Sequence, residues 1–223
     1  MYQRSLQHEN YLRDPYITIY PQGDLNNRLQ VLLAYLYKAN TENKQLRVIW
    51  IIDDKCTQNF EDLFESINNV EFIYTNSIPS NEIDYVITWS PETEYIKYKY
   101  YKYLIPKEDI QLEINQFTSD YIACYITDTG TNNYTPFINL INKYPENLKI
   151  YLVTDNNDTL KYFIDIYGSR IVYNKIVKIN NLLQYNEHDL VRDIYICANS
   201  TYFKGSTPSS TTNTINELRK LNT

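Results

Sequence analysis

Four short stretches carry side chains able to hold an anion or move a proton. They are Gly23-Asp24-Leu25-Asn26-Asn27-Arg28, Thr127 to Asn133, Thr154 to Asp158, and Gly205-Ser206-Thr207-Pro208-Ser209-Ser210. The last runs straight into a predicted helix, so small hydroxyls and the amides of a first helical turn would converge there as a phosphate cradle. A Ser/Thr-rich turn before a helix is also the ordinary composition of an N-cap, and the sequence leaves both readings open. A fifth stretch, Tyr95-Ile96-Lys97-Tyr98-Lys99-Tyr100-Tyr101-Lys102-Tyr103, interleaves lysine with tyrosine. Such a run can stack bases or sugars. The simpler reading is a half-buried connector whose lysines reach out to water.

The elements around these stretches alternate. Tyr16 to Tyr20 predicts a short strand, and a turn at Pro21 to Asp24 leads into a helix from Leu25 to Asn40. On that helix Leu29, Leu32, Leu33 and Leu36 recur at helical spacing and define one buried face. Leu46 to Ile52 is a continuous apolar run, as expected of a strand covered on both faces of a parallel sheet. A short helix around Phe60 to Ile67 and strands at Val70 to Tyr74 and Tyr85 to Thr88 complete the first half. The rhythm breaks between Ser90 and Glu113 and then restarts. Strands are expected at Tyr121 to Ile126, Lys149 to Val153, Ile171 to Val177 and around Tyr202-Phe203. Helices are expected at Pro136 to Lys143, Thr159 to Tyr167, Asp189 to Ala198 and Ser209 to Leu218. Strands alternating with helices predict an α/β fold, with one half over 1–113 and the other over 114–223. In such sheets ligands bind beyond the carboxyl ends of the strands, where the four chemical stretches fall.

Composition narrows the function. With 223 residues the chain can bury a core without disulfide staples. The net charge of −6 argues against general nucleic-acid binding, which needs a basic surface; a local pocket for one nucleotide is compatible with it. The three cysteines, Cys56, Cys124 and Cys197, are odd in number, far apart and set among apolar residues. They read as buried thiols of a reducing compartment, with no metal spacing. Residues 1 to 15 contain no apolar core of a signal peptide, and no stretch is long enough to span a bilayer, so a cytoplasmic protein is expected. The 24 Tyr against 7 Phe, with only 4 Gly, fit the codon bias of an AT-rich genome such as that of a large DNA virus.

Four segments together resemble the fucosyltransferase-like glycosyltransferases, the group of α-1,2- and α-1,6-fucosyltransferases, nodulation fucosyltransferases and protein O-fucosyltransferases. Gly23-Asp24-Leu25-Asn26-Asn27-Arg28-Leu29, followed by an apolar helix and Val48-Ile49-Trp50, is similar to their opening G-x-x-N-R-L signature. Lys149 to Asn156 resembles their strand ending in Thr-Asp. Leu190 to Asn199 resembles the helix whose aspartate, here Asp193, faces the nucleotide base. Phe203 to Thr211 resembles the terminal Ser-Ser loop that contacts the donor pyrophosphate. One segment departs. Where the family carries H-x-R-R-x-D, this chain has Tyr125 in place of the histidine and Thr127 and Asp128 in place of the arginines.

The resemblance implies two facing Rossmann-like domains, the GT-B architecture, with the acceptor on the first and the nucleotide sugar on the second. It implies inverting transfer of fucose or another deoxyhexose to a glycan or glycoprotein, with a GDP-sugar as co-substrate and neither a metal nor another cofactor. The implied donor-binding residues are Asn27, Arg28, Asp193, Ser206, Ser209, Ser210 and Thr211. Asp128 or Asp155 would take the acceptor proton, and Arg28 would supply positive charge for the departing diphosphate. The substituted arginines leave an alternative: a catalytically inactive relative that binds a nucleotide sugar, a glycan or a protein.

Overall fold

The structure, a computed structural model, describes residues 15–77, 83–87, 98–127, 133–173, 178–179, 182–183 and 186–222. The chain divides into two compact units, Met1–Ile105 and Pro106–Thr223.

The first unit is built on strands β1 (Tyr16–Pro21), β2 (Gln45–Ile51), β3 (Val70–Thr75) and β4 (Tyr85–Ile87). They form one sheet in the order β3-β2-β1-β4, and every pairing is parallel. The apolar run in β2 is explained by its inner place in the sheet, with Val48, Ile49 and Trp50 almost fully buried. Helix α1 (Leu25–Thr41) buries Leu29, Leu32, Leu33 and Leu36 along the predicted stripe. Asp24 caps it, its Oδ1 accepting from Asn27 N at 2.8 Å, and Gly23 supplies the positive φ of 93° that turns the chain out of β1. The expected second helix shrinks to α2 (Phe60–Leu63), although Ile67 is also buried. The lysine–tyrosine run is a 3-10 turn over Tyr98–Tyr103. Tyr101 is buried there and Tyr100 meets Tyr37 of α1 edge-on at 5.6 Å, as a connector would. Its first three residues lie outside the described residues.

The second unit opens with helix α3 (Glu108–Ile114). There follow β5 (Tyr121–Ile126), α4 (Thr135–Ile141), β6 (Lys149–Thr154), α5 (Asn157–Tyr167) and β7 (Ile171–Val172). A small antiparallel pair, β8 (Lys178–Ile179) and β9 (Leu182–Leu183), precedes α6 (Glu187–Asn199), β10 (Tyr202–Gly205) and α7 (Ser210–Arg219). The main sheet runs β10-β5-β6-β7, again wholly parallel. The structure is thus α/β, with two separate parallel sheets. Ile122, Cys124, Ile150, Leu152 and Phe163 pack into the core on one face of the second sheet. Arg219 closes the end of α6, its Nη1 donating to the carbonyls of Cys197 and Ser200 at 3.3 and 2.6 Å. No helix of the described residues is long and apolar enough to cross a membrane.

All three cysteines are free and buried. Burial pushes the Cys124 thiol up to about 12. The unfolded thiol, near 8.5, therefore loses its proton first, and stability is complete below about pH 8.5 and declines as pH rises toward 12. Urea midpoints measured across that range should fall more steeply for the natural chain than for Cys124→Val. Equal slopes would remove Cys124 as a source of the decline.

Candidate functional site

Strand order points to a candidate crevice in the second unit. From β5 the chain steps to β6 and β7 on one side and then returns to place β10 on the other. The carboxyl ends of β5 and β10 flank the point where the direction of winding reverses, the place where parallel sheets open a ligand crevice. The two exits are stitched together. Ser206 N donates to the Tyr125 carbonyl at 2.9 Å, and Thr127 N donates to Ser206 Oγ at 3.2 Å. Ser206 is 8% exposed. Its hydroxyl accepts in that bond and so keeps its own hydrogen to donate.

From Ser206 the chain passes a cis Thr207–Pro208 bond and enters α7. Ser209 is the N-cap, its Oγ accepting from Thr212 N at 3.2 Å, so the capping expected from composition is realised at this serine. Ser210 and Thr211 form the first turn, the one half-buried and the other 6% exposed. Ser206, Ser209, Ser210 and Thr211 thus lie in one bend that ends at the positive pole of a helix of 10 residues. The bend is held tightly against the sheet. A Cβ on Gly205 would sit 2.4 Å from Thr212 Oγ1 and 2.6 Å from its Cγ2, which explains the glycine. Thr212 is 2% exposed, and its Oγ1 has no hydrogen-bond partner among the described residues.

The neighbouring strand β6 ends in Thr154, whose Oγ1 accepts from Asn156 N at 3.2 Å. Asn156 caps α5 by accepting from Asp158 N and Thr159 N at 2.8 and 3.1 Å. Between them Asp155 stands exposed at the carboxyl edge. Asp128, the other carboxylate expected to act as a base, lies outside the described residues.

Asp193, which the resemblance implies as the aspartate facing the nucleotide base, lies on α6. It is 2% exposed on the buried face of α6. Tyr151 of β6 donates its hydroxyl to Asp193 Oδ1 at 2.5 Å, and Arg192 Nε lies 3.3 Å from the same oxygen. Burial, reinforced by the Asp193 carboxylate, raises the Tyr151 hydroxyl far above its ordinary value, so it remains a donor. Arg192 also pairs with Glu113 and Asp189, each at 2.7 Å. The carboxylate therefore ties α6 to the sheet.

In the first unit the turn after β1 carries Asn27, half-buried, and Arg28, with no exposed surface. The Arg28 guanidinium donates from Nε to the Gly23 carbonyl at 2.9 Å and from Nη1 to the Ile51 carbonyl. Its Nη2 meets Asp53 Oδ2 at 2.7 Å. Asp53 in turn accepts from the amides of Lys55 and Cys56, both at 3.0 Å. This arginine thus fastens the turn after β1 to the end of β2 and the loop beyond it. Asp53 was not among the residues expected from sequence. An Asp-Asp pair directly after an apolar run signals a loop, but nothing local names Arg28 as its partner. Among the described residues no three His, Cys, Asp or Glu side chains converge.

No protein-family profile and no curated protein matches this sequence. The fold, in contrast, is shared with fucosyltransferases, in agreement with the resemblance carried by the sequence segments. Two of the similar structures are the NodZ alpha-1,6-fucosyltransferase soaked with GDP-fucose and the Bradyrhizobium fucosyltransferase NodZ. Their TM-scores are 0.68 and 0.67, both at 12% identity over 92% of this chain and 93% of theirs. POFUT1 in complex with GDP gives 0.60 at 13% identity over 93% of this chain and 95% of its own. At these identities the likeness is one of fold.

Proposed function

We propose that this chain is a glycosyltransferase that moves fucose or another deoxyhexose from a GDP-sugar to a glycan or glycoprotein. The observation that carries the reading is the bend from Ser206 to Thr211, set at the reversal point of a sheet whose fold is shared with fucosyltransferases. Of those structures, the NodZ alpha-1,6-fucosyltransferase was soaked with GDP-fucose and POFUT1 is in complex with GDP. In this reading the two units face each other as in GT-B enzymes, the first taking the acceptor and the second the donor. The hydroxyls of Ser206, Ser209, Ser210 and Thr211, with the first amides of α7, hold the diphosphate oxygens. Asn27 and Arg28 shape the opposing turn, Arg28 through its grip on Gly23.

Transfer would then proceed by inversion without a metal. The acceptor hydroxyl oxygen attacks the anomeric carbon from the face opposite the diphosphate, and its proton passes to Asp155 or Asp128. The bond between that carbon and the phosphate oxygen breaks, and its electron pair leaves with the nucleoside diphosphate. The fixed dipoles at the start of α7 stabilise the charge that develops on the leaving oxygen.

Titration calorimetry with GDP, UDP and GDP-fucose tests the reading. GDP and GDP-fucose should bind, and Ser210→Ala should weaken both about tenfold, as expected for one lost hydrogen bond to a charged oxygen. No binding of any of the three at millimolar concentration would sink it. A second reading, a nucleotide-sugar-binding relative without catalysis, is favoured by Thr127 standing in the arginine position and by the complete enclosure of Arg28. It requires that bound GDP-fucose be neither hydrolysed nor transferred.

A further inference from the structure

The second unit also contains a cavity of 440 Å³, lined by Ile141, Asn142, Tyr144, Glu146, Ile166, Tyr167 and Arg170. Its size is within the range of pockets that hold small ligands, about 300–1,000 Å³. It lies at the opposite edge of the sheet from the Ser206 bend. Arg170 directly precedes β7, Leu148 directly precedes β6, and Tyr202, which stacks on Tyr144, begins β10. The six residues of β6 separate the two places by about 15–20 Å. The cavity thus belongs to neither the donor bend nor the acceptor turn.

The lining pairs aromatic surface with polar groups that retain bonding capacity. Tyr202 covers one face of the Tyr144 ring with centroids 3.5 Å apart, and the same ring lines the cavity. The Arg170 guanidinium lies 5.7 Å from the centre of the Tyr167 ring. Tyr167 donates its hydroxyl to Asn142 Oδ1 at 3.1 Å, which fixes the amide and leaves its Nδ2 hydrogens available. Arg170 uses Nε on the Leu148 carbonyl at 3.1 Å and Nη2 on the Pro145 carbonyl at 3.4 Å. These bonds hold the side chain in place while Nη1 is unspent among the described residues. Glu146 has no hydrogen-bond or ion-pair partner among the described residues. Ile166, 49% exposed, adds an apolar lip.

The chemistry selects a ligand class. One carboxylate and one guanidinium cancel in net charge, so neither an anion nor a cation is favoured. A rigid amide, a carboxylate and a fixed guanidinium offer acceptors and donors together, the match for adjacent hydroxyls that each donate and accept. The Tyr144 ring, which lines the cavity, offers aromatic surface to an apolar patch of C–H bonds. A pyranose ring carries both features, hydroxyls around its rim and C–H groups on its face. We infer that this cavity is a second saccharide site that binds a neutral pyranoside, one or two sugar units long, independently of any nucleotide.

Saturation-transfer NMR on the full chain tests it, with the methyl glycosides of fucose, galactose, glucose and N-acetylglucosamine as probes, each measured without GDP and again with saturating GDP. At least one glycoside should receive saturation. Glu146→Ala, at an exposed position that makes no internal bond, should weaken that glycoside about tenfold with the melting temperature unchanged, the effect of losing a charge-assisted hydrogen bond. Asn142→Ala should weaken it as well. Signals that GDP abolishes, or that persist unchanged in both variants, would overturn the site. So would the failure of all four glycosides at tens of millimolar. None of these outcomes depends on whether the chain transfers sugar.

Discussion

Arg28→Met should unfold the first unit at a temperature lower by on the order of 10–20 °C, the shift for a loss of about 3 kcal/mol in a domain near 100 residues. The guanidinium is enclosed, and its three nitrogens meet three acceptors belonging to different segments: the Gly23 carbonyl, the Ile51 carbonyl and the Asp53 carboxylate. Methionine fills much of the volume but gives none of them a donor. Arg28→Lys should recover only part of the loss, because one ammonium cannot reproduce a planar fork reaching three directions. Asp53 is one-third exposed and can turn to water, so Asp53→Asn should cost about 1 kcal/mol. Thermal melts followed by tryptophan fluorescence suit the measurement, since Arg28 lies 5.4 Å from the centre of the Trp50 ring. A different pattern, full stability in Arg28→Met with GDP affinity gone, would mean that the guanidinium swings out to hold phosphate and that its enclosure is not the working state.

This arginine marks the limit of what the chain discloses before folding. The apolar run at Leu46 to Ile52 reads as a strand covered on both faces, and Val48 to Trp50 are almost fully buried within β2, although the strand ends at Ile51 and Ile52 is exposed. The leucines of α1 read as a stripe because a helix repeats every 3.6 residues whatever packs on it. Both signals are local. That β10 returns to lie against β5 is not local, for nothing in Tyr202–Gly205 names its partner. The partner is set by how α6 and α7 pack, and with it the reversal point that makes Ser206 a site residue. Arg28 and Asp193 show the same limit at the level of single side chains. Each is charged and each falls in a segment resembling a donor-binding motif. Yet Asp193 meets Tyr151 from a strand 42 residues away, and Arg28 meets Asp53 across 25 residues. Only the tertiary structure brings these partners together. The hydroxyl bend was more legible, because a Ser/Thr cluster before a helix is capped and positioned by its own next few residues.

Gly205→Ala should both lower stability and remove nucleotide diphosphate binding, and the second effect is the larger. An added Cβ would fall on both branches of the Thr212 side chain, at 2.4 and 2.6 Å. No rotation about the Thr212 Cα–Cβ bond frees the space at once from an oxygen and a methyl group, because a β-branched residue has few rotamers to choose from. The start of α7 must therefore retreat from the end of β10. Overpacking of this kind costs about 1–3 kcal/mol, and the unit should survive it. The bend should not keep its geometry. Ser206 is anchored to β5 through the Tyr125 carbonyl and Thr127 N, while Ser209 to Thr211 travel with the helix. Moving one group and not the other separates the donors that the proposed function aims at a single diphosphate. A displacement near 1 Å is enough to cost on the order of a hundredfold where several bonds must form together. Calorimetry with GDP beside a urea melt reads both quantities, and Gly205→Ala/Thr212→Ser supplies the control, since serine lacks the offending methyl group and can turn its hydroxyl aside. Recovery of GDP affinity in the double variant would tie binding to the approach of α7 to β10. An alanine variant that melts lower yet binds GDP as tightly as before would show that the diphosphate is held elsewhere.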